Sequence, residues 1–233
     1  MDRAGSGITV MHATAKPPTD LAKIGPLYVK LMEEIKRRTE VVGQAVTGTY
    51  PIPPMVRFEL CYLQLRIICE VFALACLAVH GDIPGVRTKL LQKTYNADQI
   101  IKQLSNLHPQ FYPTPGEQRV DLVTQKPIEV IRVTSGFLTK DDLLSLYGEC
   151  GNYLHRGSIR QLLTKWEPAL DFKKIAAWID KIAKLLNHHQ IQTRHPDTML
   201  WVLMQAKDDG KAHYALMKKI GPAANYAPAS SST

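Results

Sequence analysis

The sequence has no apolar run long enough to cross a membrane. Its longest unbroken one, Val71 to Val79, falls far short of the roughly 20 residues a spanning helix needs, and Arg66 and Glu70 stand just before it. A secretory leader is not expected either, because Asp2 and small polar residues occupy the place of a charged start and an apolar run. Cysteines number four, and no short-spaced ligand pair accompanies Cys76 and His80, so neither a zinc module nor a disulfide scaffold is expected. Cys61, Cys69 and Cys76 recur at steps of eight and seven. On one helix a step of seven is about 10 Å of rise, too far for a bridge, so buried free thiols are the expected state. No internal repeat is present, and no cofactor is implied. Acidic residues are in deficit, 21 against 29 basic ones, for a formal charge of +8. A cytoplasmic globular chain able to meet phosphates is what remains.

The most informative stretch is Pro54 to His80, apolar on nearly every side, which marks a central buried helix. Its polar residues are not scattered. Glu59, Tyr62, Arg66 and Glu70 follow at steps of three or four and share one face. On a buried helix Arg66 and Glu70 need each other, and removing one alone is expected to cost about 3–5 kcal/mol.

Around this helix the chain reads as mainly α, a helical bundle with small β elements and thus α+β overall. Residues 1–20 form a flexible arm, and residues 21–187 the bundle, with a β insertion near 118–134. A β hairpin extension covers 188–220, and a disordered tail 221–233. One helix starts at Pro26 and is stopped by the proline-rich loop 47–54. Two basic stretches, 86–92 and 95–107, have apolar faces, and the loop His108–Gly116 breaks the helical pattern. Thr139-Lys-Asp-Asp142 is a capping signature for a helix through Leu143, Tyr147 and Leu154. Gly148 and Gly151 share a face of it, which suggests close approach of another backbone. Asp171–Asn187 is the last helix. Asp-Gly within 207–211 signals a hairpin, with His188–Arg194 as a third strand. His188 and His189 point in different directions and are expected at the surface, while Trp201 and Tyr214 are expected to pack rather than to stack on bases.

Leu65-Arg66-Ile-Ile-Cys-Glu70 and Tyr147-Gly-Glu-Cys-Gly-Asn-Tyr-Leu-His-Arg-Gly157 together resemble the helical-bundle superfamily called HEPN. Its members have a buried Arg-x-x-x-Glu type helix and a late helix ending in a histidine. The resemblance runs from Pro26 to Asn187 and implies a dimeric, metal-independent RNase of a defence or toxin system. It places His155, Arg66, Glu70, Asn152 and Arg156 at the site, with His155 as base and Arg66 or Arg156 as cation. The chain departs from the family at one position: the arginine that should precede the histidine by a few residues is not there, since Gly148 to Gly151 occupy that place. A degenerate, non-catalytic bundle or a dimerising interaction module therefore stands beside the nuclease. For RNA, Arg87, Lys89, Lys93, Arg160 and Lys165 are the candidate phosphate contacts. They come from two regions, 84–107 and 156–184, in which basic residues outnumber acids.

Overall fold

The computed structural model describes residues 11–13, 19–81, 94–121, 123, 127–154 and 169–219. Helix α1 spans Thr19–Thr47 and α2 spans Pro54–Val79. They pack as a pair along Tyr28, Met32, Ile35, Val42 and Ala45, all buried at helical spacing. Helix α1 begins before Pro26, not at it, and carries that proline inside. A proline near a helix start loses only one backbone bond, and burial of the following turns outweighs that.

Helix α2 has no side-chain cap at its start. Pro53 and Pro54 take the N-terminal positions, where a missing N–H costs nothing. Phe58, Leu65, Ile68, Phe72 and Val79 on it are buried, and Val71 is 7% exposed. The unbroken run Val71–Val79 understates α2, which by length and composition as a whole could cross a membrane; it packs against α1 and three further helices. These are α3 (Ala97–Leu107), α4 (Lys140–Leu154) and α5 (Phe172–Leu186). Asn96 and Asp171 cap α3 and α5 by accepting from Gln99 N and Lys174 N. At α4 the capping box is reciprocal: Thr139 Oγ1 accepts from Asp142 N, and Asp142 Oδ2 accepts from Thr139 N. All four cysteines are free and buried.

The strands are β1 (Met11–Ala13), β2 (Thr114–Val120), β3 (Pro127–Arg132), β4 (His188–Gln192), β5 (Thr198–Leu203) and β6 (His213–Lys219). The insertion and the C-terminal hairpin, expected apart, join one sheet of order β1-β6-β5-β4-β2-β3. Even the expected flexible arm contributes, since Met11–Ala13 pairs with β6. Strand β2 starts inside the loop expected to break the pattern, with Pro115 paired opposite His189. Gly210 at φ +67° turns the β5–β6 hairpin, as Asp-Gly indicated.

Both histidines of β4 are buried, on opposite faces of the sheet. His189 is fully buried on the helix side, where its Nε2 lies 2.8 Å from Tyr28 Oη and its Nδ1 2.8 Å from the Leu186 carbonyl. His188, on the other face, is 3% exposed and stands edge-on to Trp201. Surface placement of this pair is thus corrected: hydrogen bonds replace water at His189, while His188 packs against the Trp201 ring and its Nδ1 has no hydrogen-bond partner among the described residues. Tyr214 lies on the opposite face of the sheet from Trp201, and its ring occupies the space a side chain at Gly25 would take. Both aromatics pack, as expected.

Candidate functional site

Helix α2 presents Phe58, Tyr62, Arg66 and Glu70 at steps of four, and α4 and α5 close on this row. Its polar end is a closed triangle. Arg66 Nε lies 3.2 Å from Glu70 Oε1, Arg66 Nη2 donates to Tyr147 Oη at 3.0 Å, and that hydroxyl donates to Glu70 Oε1 at 3.1 Å. The guanidinium also sits 4.6 Å from the centre of the Tyr147 ring, in cation–π contact.

One turn towards the N-terminus of α2 a second group forms. Tyr62 Oη donates to Glu149 Oε1 at 2.5 Å, and Lys174 Nζ of α5 meets the same oxygen at 2.8 Å. Tyr153 stacks on Tyr62 at 4.3 Å, and Phe58 stands edge-on to Tyr62, Tyr153 and Phe172. Two ion pairs therefore lie on an aromatic floor shared by three helices.

Burial sets the protonation of this cluster. Burial and then the hydrogen bond to Glu70 push Tyr147 up to about 12, and burial and then Glu149 push Tyr62 well above the ordinary phenol value. Both hydroxyls are proton donors at neutral pH and cannot serve as bases. Burial likewise raises the Cys150 thiol to about 12, which makes it a small hydrophobe and not a nucleophile. The Glu149 hydrogen bond holds Lys174 above its usual value, and so charged.

The residues expected at the site fare differently. Arg66 and Glu70 do pair, but in a part-open groove, with side chains 28% and 21% exposed. Among the described residues their partner is Tyr147, where Asn152 was expected; Asn152 is exposed, and no hydrogen bond of the cluster includes it. The backbone approach expected at the glycines is also corrected. A Cβ at Gly148 would meet nothing within 4 Å, and one at Gly151 would meet only Arg66 Nη1, at 3.7 Å. A Cβ at 151 would make only ordinary contact with the guanidinium, so packing among the described residues does not demand glycine at either position. His155 and Arg156 lie outside the described residues, as do Arg87, Lys89, Lys93, Arg160 and Lys165. The described part of the two basic regions is partly neutralised: Lys102 pairs with Asp98, Lys174 with Glu149 and Lys181 with Asp142.

With 21–28% exposure, the 3–5 kcal/mol expected for removing Arg66 or Glu70 is too large. Solvent reaches the orphaned charge, so Arg66→Ala or Glu70→Ala should each cost about 1–2 kcal/mol in urea unfolding. The double change to Met should cost no more than either. A loss above about 3 kcal/mol from either single change would show the groove to be closed.

Tyr147, Glu149, Tyr153 and Lys174 were not legible as site residues. Only the acid at 149, between two glycines on a helix otherwise apolar towards the core, was a usable sign. Four described histidines form two pairs elsewhere: His80 with His108 at the C-terminal end of α2, and His188 beside His189 in the sheet. Among the described residues no three His, Cys, Asp or Glu side chains gather as metal ligands. At Cys76 and His80 the short contact is from His80 Nδ1 to the Cys76 backbone carbonyl, 2.7 Å, not to sulfur. Compared with family models, curated proteins and solved structures, the chain gave no match.

Proposed function

We propose that the chain is a HEPN-like RNA-binding protein of the cytoplasm, and that the α2–α4 groove receives a phosphodiester. The observation that carries this reading is Arg66. Its guanidinium is oriented by Glu70 and Tyr147 yet remains 28% exposed, so it can still donate to an oxyanion. The Tyr147 hydroxyl, protonated at neutral pH, spends its one proton on Glu70 and so fixes the carboxylate that orients the guanidinium. His155 follows Leu154, the last residue of α4, directly in sequence. It is the base that the resemblance implies for taking the 2′-hydroxyl proton as that oxygen attacks phosphorus; the P–O5′ bond breaks, and the departing 5′-oxygen takes its proton from water, leaving a 2′,3′-cyclic phosphate. The excess of basic residues favours a polyanion in general.

Labelled single-stranded RNA in excess EDTA tests both halves. Affinity should weaken steeply with salt, and Arg66→Ala should lower it at least tenfold while circular dichroism stays unchanged. His155→Ala should retain binding and lose cleavage. RNA held equally by wild type and Arg66→Ala removes the groove from the reading; no binding at low salt removes RNA altogether.

A second reading, a dimerising module without catalysis, is favoured by one observation. Val56 and Leu63, seven residues apart on α2, are 46% and 43% exposed, with Leu60 and Ile67 partly covered beside them. Such a stripe suits a helix of a second copy. Sedimentation showing a dimer that Leu63→Glu converts to monomer, without RNA binding by either, would favour it.

A further inference from the structure

A cavity of about 590 Å³ opens on the sheet face that carries Gln190 and Gln192, opposite the face on which His189 meets Tyr28. None of its lining residues belongs to the α2–α4 cluster. Strand β4 and Met199 of β5 form the floor, Val130 and Arg132 of β3 one side, and the segment 109–115 the other. Pro109, Pro113 and Pro115 fix the backbone torsion of that segment, so the wall is set before anything binds. The volume falls within the roughly 300–1,000 Å³ typical of small-molecule sites.

Charge and polarity narrow the occupant. Arg132 is the one charged residue of the lining, and no carboxylate faces it there. Among the described residues it enters no ion pair. Gln110, Thr114 and Gln190 supply neutral hydrogen-bonding groups, while Phe137, Met199 and Val130 supply apolar surface. Gln192 is committed elsewhere, its amide donating to the carbonyls of His195 and Thr198 at 2.9 and 3.1 Å, which stiffens the floor. A neutral apolar molecule would leave the guanidinium unused, and a polyanion would find no second cation in the lining.

We propose that this cavity binds a small organic monoanion with an apolar body. Arg132 takes the acid oxygens through its paired N–H groups, and Phe137 and Met199 cover the body. The site is independent of the RNA reading and survives its failure.

Fluorescence titration with 8-anilinonaphthalene-1-sulfonate, an aromatic monoanion, tests it against N-phenyl-1-naphthylamine, the neutral relative. Expected are one sulfonate per folded chain, at least tenfold weaker binding in Arg132→Gln, and displacement by 3-phenylpropionate but not by its amide. Gln190→Trp, which fills the floor with a residue suited to a strand, should abolish binding. If circular dichroism shows that variant unfolded, Val133→Trp replaces it. Arg132→Gln titrating like wild type, the neutral dye binding as tightly as the anion, or sulfonate binding that survives the filled cavity would each overturn the proposal.

Discussion

Phe58→Ala should destabilise the protein by about 3–5 kcal/mol, the largest loss expected from any single substitution considered. Phe58 is 1% exposed, and its ring lies 5.0 Å from Tyr62, 5.2 Å from Tyr153 and 5.6 Å from Phe172, edge-on in each case. These neighbours belong to α2, α4 and α5, so one side chain fastens three helices. Each edge-on pair adds about 0.5–1.5 kcal/mol beyond burial, and the cavity left behind adds the rest. Arg57, whose guanidinium sits 5.2 Å from the Phe172 ring, cannot fill that space without burying charge. Phe58→Leu keeps most of the buried volume and should lose less than half as much. The check is urea unfolding, where the midpoint should fall with an unchanged slope. A loss below about 1 kcal/mol would mean that α5 does not rest on α2, and the aromatic floor of the candidate site would go with it.

Acidification from about pH 6.5 to about 4 should remove about 3 kcal/mol of stability through His189 alone. Burial lowers this imidazole from the ordinary 6.5 to about 4. In that window the unfolded chain binds the proton and the folded chain does not, so stability is present above 6.5 and lost as pH falls. The contacts agree with a neutral ring: Nδ1–H donates to the Leu186 carbonyl, and Nε2 accepts from the Tyr28 hydroxyl. Burial also lowers His188, in the same direction. Urea midpoints at several pH values, measured on wild type and on His189→Gln, separate the two. The variant should start less stable at pH 7 and show a much flatter decline. An equally steep decline in His189→Gln would assign the acid sensitivity to other groups.

What was legible in the sequence was local. The prolines before Pro54, the apolar length of α2, the Thr139–Asp142 box and the Asp-Gly hairpin act within a few residues, and all four appear where expected. Pairings between distant segments were not legible. Thr114 and Gln190 lie in one sheet although neither strand's pattern names its neighbour. His189 looked like a surface residue because its partner Tyr28 stands 161 positions away. At the site, Arg66 and Glu70 announced themselves by their spacing on an apolar helix. Tyr147 falls among the apolar positions of its helix, and a tyrosine there does not reveal where its hydroxyl points.

Strands β2 and β4 are paired only at Thr114–Gln190 and Pro115–His189, and this seam joins the two halves of the sheet. Pro115 has no N–H to donate, and its carbonyl accepts from Val133 N, on the side of β3. The β2–β3 ribbon, by contrast, is joined through five registered pairs of its own. The sheet should therefore come apart along this seam before it comes apart anywhere else. The ribbon's amides would exchange with solvent as one unit, earlier than those of β4 and β5. Any molecule spanning Arg132 and Gln190 would bridge the seam, and slower exchange in the ribbon would record its arrival.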